Sequence, residues 1–163
     1  MNRIYRRLLG CGLWLLLVGL SAGVAVAQEH NAQGYLFFAP GVITSPGSSA
    51  ASLHFGGGGE GFLHKGIAAG AELGYIAPWE DFGGGIGILS LDGQYHFARG
   101  QRVVPFATAG YSLGFRNGHA NLFNYGVGAN IWMRANKGLR LEFRDHVDSS
   151  NHYIDFRIGY AFR

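Results

Sequence analysis

Downstream of residue 30, apolar side chains recur at every second position in runs of roughly ten residues, separated by clusters of Gly, Pro, Asn, Asp and Ser. A period of two is the signature of a strand with two unlike faces. The clearest run is 152–163, where Ile154, Phe156, Ile158, Tyr160 and Phe162 fall on one side and Tyr153, Asp155, Arg157, Gly159, Ala161 and Arg163 on the other. A strand with one uncharged face and one face of opposite charges and small residues suits a transmembrane barrel, with lipid outside and a polar interior. Turn signals divide the chain into eight such segments, 34–44, 51–63, 67–77, 84–98, 103–115, 121–135, 139–147 and 152–163. In the first, Pro40 predicts a bulge or an interrupted ladder.

Eight segments of this length match the smallest transmembrane barrels, whose tilted strands need about 9 to 11 residues to cross a bilayer. The predicted fold is all-β, an eight-stranded antiparallel up-and-down transmembrane β-barrel. Its last strand closes against segment 34–44, and an even strand number puts both termini on one side. The turns at 64–66, 99–102 and 136–138 would then be periplasmic, and the other four connections, all short, would face outward. A soluble lipocalin-like barrel would reverse the faces. Its interior would have to hold the Phe, Tyr, Leu and Ile set, which is too bulky for eight strands, and its surface would be built of Gly and Ala. With the bulky set in lipid, the small residues leave lumen space for Glu60, Glu72, Asp92, Arg134, Arg140, Glu142, Arg144, Asp155 and Arg157. These are expected to neutralise one another as an internal salt-bridge network.

Composition supports strands. Glycine supplies 28 of 163 residues and aromatics 14%, a mixture that weakens helices yet carries too many large apolar side chains for a disordered chain. The start of the chain reads differently. Arg3, Arg6 and Arg7 precede an apolar core at 13–20, and Ala25-Val26-Ala27 forms a small-x-small cleavage site. Residues 1–27 are therefore expected to be a signal peptide and 28–163 the barrel domain. Cys11 precedes the apolar core, too early for lipidation, and is the single cysteine, so the processed chain offers no disulfide or thiol chemistry. Three of the 13 Lys and Arg leave with the signal, so 10 remain against 10 Asp and Glu. The processed chain is neutral and gives no reason to expect nucleic-acid binding.

Residues 105–111 (PFATAGY), 121–128 (NLFNYGVG) and 138–145 (GLRLEFRD), with the aromatic last strand, resemble the small outer-membrane β-barrel proteins related to the barrel domain of outer-membrane protein A. The resemblance covers essentially the whole processed chain. It implies an envelope-integrity or surface-interaction role in the outer membrane of a didermal bacterium. It also implies insertion by the barrel-assembly machinery through a signal in the last strand, here Tyr160 and Phe162; outer-membrane lipid is the expected partner and a monomer the expected state. The sequence departs from the family pattern in that Arg163 follows the terminal aromatic.

Candidate chemistry is sparse. Residues 144–152 bring Asp145, His146, Asp148, Ser149, Ser150 and His152 to the last hairpin, the composition of a Ser-His-acid site. This suggests the alternative function, a lipid-modifying barrel enzyme resembling the lipid A deacylases and acting at the outer rim. Those enzymes pair a His with a Ser two residues on, whereas Asp148 stands two after His146. A solvated turn has the same composition. His54 and His96 are expected to point into the lumen, and no histidine spacing specifies a metal. No catalytic residue, cofactor or metal ligand is assigned.

Overall fold

A computed structural model describes residues 31–116 and 118–163. The expected signal peptide, 1–27, lies outside the described residues. The elements are β1 (Ala32–Ser45), β2 (Ser48–His64), β3 (Ile67–Pro78), β4 (Ile86–His96), β5 (Val103–Phe115), β6 (His119–Arg134), β7 (Lys137–Val147) and β8 (His152–Phe162), with a 3-10 turn at Phe82–Gly84. Each strand pairs antiparallel with the next, and β8 pairs with β1 to close the barrel. Closure leaves no unpaired sheet edge, the condition for a backbone in contact with hydrocarbon.

Turn chemistry sets the hairpins. Lys65 and Gly66, with φ of 40° and 93°, join β2 to β3 by two residues in the left-handed region, the geometry whose twist matches paired strands. The connection expected at 45–49 is tighter than its composition suggests, because Ser45 pairs with Ser48 and Gly47 takes a φ of 79°. At the other β3 end, the Asp81 carboxylate accepts a hydrogen bond from the Gly84 amide at 2.9 Å, so the 3-10 turn holds residues 84–85 out of β4. Pro40 interrupts one ladder only. β1 pairs with β2 without a break, whereas its pairing with β8 passes from Phe38↔Ile158 to Gly41↔Asp155 with the pairs between them missing. Proline has no amide proton to donate, and the register is unchanged across the gap.

The two faces of each strand are strongly unlike. Leu36, Leu73, Leu91, Phe123 and Val127 are between 56% and 61% exposed, and large apolar side chains of every other strand share the outer surface with them. The inward positions of the same strands carry Glu72, Asp92, Arg140, Arg144 and Arg157, all buried. This reverses a soluble barrel. An apolar band around the whole circumference exceeds any patch a soluble monomer exposes and is the surface that lipid solvates.

Candidate functional site

Inward-facing side chains fill the barrel. At the end where β1 starts and β8 finishes, Tyr35, Val104, Phe106 and Trp132 close the interior, with Gly58 and Gly128 providing room. A Cβ on Gly58 would lie 2.8 Å from the Tyr35 hydroxyl, and one on Gly128 2.5 Å from the Phe106 ring. At the far end Ile76, Ile88 and Leu122 are each no more than 2% exposed. The polar layer extends from there to the terminal end, where Gln33 hydrogen-bonds Glu60 and Arg140 lies against Tyr35 and Phe106.

Three arginines organise that layer. Arg157 Nη1 donates to both oxygens of Glu72 at 2.8 Å, and its Nε donates to Asp155 at 2.8 Å. Arg144 Nη1 donates to Asp92 at 2.9 Å, and its Nε reaches Glu142. Arg140 Nε donates to the other oxygen of Glu142 at 3.0 Å, its Nη2 to Gln94 at 3.0 Å, and its Nη1 lies 3.5 Å from Glu60. Glu142 thus bridges two guanidiniums, and Glu72 and Asp155 share a third. Gln33 hydrogen-bonds Glu60, and the Tyr35 hydroxyl donates to Glu72. Two of the three guanidiniums also lie on aromatic faces: Arg140 4.2 Å from Tyr35 and 3.9 Å from Phe106, Arg157 4.3 Å from Phe37. Such pairing offsets the cost of burying charge.

Of the nine residues expected in this network, eight are buried in the lumen and joined by the contacts above. Arg134 is not. It is exposed at the end of β6, where the register slips between Trp132 and Arg134. A bulge adds one residue to the period-two count and turns the following side chain to the other face. Tyr160 and Phe162 are outward on β8, 43% and 45% exposed.

The carboxylates outnumber the guanidiniums, five to three, and two histidines lie beside them. His54 Nδ1 lies 2.6 Å from Asp155, and His96 Nε2 lies 3.2 Å from Glu60. A third histidine, His146, is fully buried with its ring 5.7 Å from that of His54. His54, His146 and Asp155 offer ligand atoms within 4.8 Å of one another, a grouping that linear spacing did not disclose because β2 and β7 meet across the lumen. The position a cation would take is already charged: Arg157 bonds to Asp155 and lies 3.3 Å from His54 Nδ1. Repulsion from a fixed guanidinium makes this a poor cation site.

The last hairpin separates its residues by face. His146 points inward, away from any lipid substrate, whereas Asp145 and His152 point outward. Asp145 accepts from the Tyr125 hydroxyl at 2.9 Å and lies 2.8 Å from His152 Nδ1. The turn itself is held by Asp148, whose Oδ1 accepts from the Ser150 and Asn151 amides at 2.8 Å. Partial burial raises the Asp148 pKa, but the hydrogen bonds from Asn151 and Ser150 outweigh it and hold the carboxyl below its ordinary range.

Solved structures with this architecture include the N-terminal β-barrel domain of Pseudomonas aeruginosa OprF, similar at a TM-score of 0.57 and 16% identity over 81% of this chain and 98% of that one. Neisserial surface protein A is similar at a TM-score of 0.63 and 10% identity, over 81% of this chain and 96% of that one. The fold is that of the small outer-membrane β-barrels. A de novo designed transmembrane β-barrel shares this fold, at a TM-score of 0.57 and 15% identity over 83% of this chain and 99% of that one. No protein-family model and no curated protein matches the chain. One fold can serve many functions, so function is to be argued from the lumen and the rims.

Proposed function

We propose that this protein is a non-enzymatic barrel of the bacterial outer membrane that contributes to envelope integrity or surface interaction as a sealed, monomeric element. One observation carries the reading: a charge network whose side chains are at most 4% exposed fills the lumen, inside a wall that is apolar outside. A lumen filled this way has no continuous water path, and its charges hold the wall together rather than select a solute. The short connections offer little surface for a large ligand. Insertion would proceed through the assembly machinery, with Tyr160 and Phe162 in the strand it recognises. Outer-membrane lipid would be the protein's main partner.

The sealed lumen is tested by planar-bilayer recording of the refolded processed chain. No stepwise conductance is expected, and reproducible single-channel steps would overturn the sealed reading. The enzymatic alternative narrows to the exposed His152, whose Nδ1 lies 2.8 Å from the buried Asp145. Lipid A profiles from cells carrying the native chain, H152A or no copy of the gene should be identical. An acyl chain removed only when His152 is present would make this an enzyme.

A further inference from the structure

The neutral processed chain is not neutral along its axis. Among the described residues, the end bearing the barrel's termini carries Lys65, Arg99, Arg102, Arg134, Lys137 and Arg163 and no Asp or Glu; Glu29 lies outside them. The far end carries Glu80, Asp81, Asp145 and Asp148 against Arg116. The barrel is therefore a long dipole with a basic ring at its terminal end.

The ring lies on the border of the apolar wall. Lys65 stands between Leu63 and Ile67, exposed to 72% and 48%. Arg99 follows the exposed Phe97 by two positions, Arg102 adjoins Val103, Arg134 adjoins Met133, and Lys137 is the cross-strand partner of Phe162. Two members are turned to the lumen mouth, Arg99 lying 3.8 Å from the Phe62 ring and Arg163 4.1 Å from the Trp132 ring. Lys65, Arg102, Arg134 and Lys137 are exposed around the circumference. Long cationic side chains bordering a lipid-facing surface reach the headgroup layer, where anionic lipid concentrates around fixed positive charge.

We infer that this basic ring is a binding surface for the phosphate headgroups of anionic phospholipids in the leaflet at the terminal end. The placement of the charges selects lipid over a soluble acidic partner, because they encircle the wall at its apolar border instead of forming a patch on the end face. The inference rests on the membrane-barrel reading. It also gives the displaced Arg134 a role: the bulge that removes this side chain from the lumen adds it to the ring.

The test refolds the full processed chain into vesicles of phosphatidylcholine alone and of phosphatidylcholine mixed with phosphatidylglycerol, then identifies lipids retained on the released barrel by native mass spectrometry. For the native chain, phosphatidylglycerol should be enriched over its vesicle fraction, on the order of tenfold. High salt should abolish the enrichment, since screening shortens electrostatic reach. The K65Q/R102Q/R134Q/K137Q variant should fold in phosphatidylcholine and lose the enrichment. Retention of both lipids in proportion to the vesicle, enrichment that survives high salt, or enrichment that survives the four substitutions would each overturn the proposal. So would capture of soluble polyglutamate by the native chain without a preference for phosphatidylglycerol. If the variant does not fold, the salt dependence of the native chain decides. Failure of the native chain to fold in phosphatidylcholine alone would count against the membrane-barrel reading, not against the lipid preference.

Discussion

Arg157 illustrates how one side chain depends on several strands. It bonds Glu72 of β3 and Asp155 of its own strand, approaches His54 of β2 and lies over Phe37 of β1. Arg157→Leu would leave two buried carboxylates without their main counter-charge and is expected to cost about 3–5 kcal/mol, measured by urea unfolding in vesicles. Adding Glu72→Leu should recover part of that loss, because a buried pair replaced by apolar groups no longer leaves a lone charge. Arg134→Ala should change stability by no more than about 0.5 kcal/mol, whereas Arg140→Ala removes a fully buried guanidinium held between Tyr35 and Phe106 and should cost several times as much. Equal effects at 134 and 140 would contradict the placement of Arg134 outside the lumen. Gly128→Val introduces atoms where the Phe106 ring stands and should lower folding yield, measured as the fraction of folded band on an unboiled gel.

At the scale of elements, what could be read in advance was whatever depends on period two within one strand. β8 shows this best: five alternating outward residues and the inward Asp155 and Arg157 follow from sequence order alone. The closure of β8 on β1 was legible for the same reason. Arg134 was not, because a bulge changes parity and residues 132–134 carry no glycine or proline to mark one. His146 was also hidden. Its neighbours His54 and Asp155 come from strands that the barrel's curvature brings together, and the Asp, Ser and His composition around it is also that of a solvated turn. The β7–β8 turn permits a prediction with a definite sign. Asp148 is held below its ordinary pKa by hydrogen bonds made in the folded turn, so its contribution is complete above the unfolded-state pKa and is lost as pH falls through the folded one. Protection of the Ser150 and Asn151 amides, taken against their intrinsic exchange rates at each pH, should therefore fall on acidification below the usual carboxylate range, and Asp148→Asn should remove that pH dependence. Protection with the same acid dependence in both proteins would contradict this role for the carboxylate.

Over the whole molecule, three distributions of residues are mutually consistent: apolar side chains outward, paired charges inward, and basic residues collected at the terminal end. The first would be costly in a soluble protein, where the apolar band would face water and aggregate. In a bilayer the band is solvated, the closed strands satisfy their own amides, and the charges are either paired in the lumen or at the headgroup border. This chain spans a membrane as a closed barrel. The most direct test is electrophoretic heat-modifiability of the protein recovered from fractionated cells. A closed barrel keeps its compact shape in SDS until boiled, so the protein should be in the outer-membrane fraction and migrate faster unboiled than boiled. Recovery from the soluble periplasm, with identical migration before and after boiling, would contradict the account.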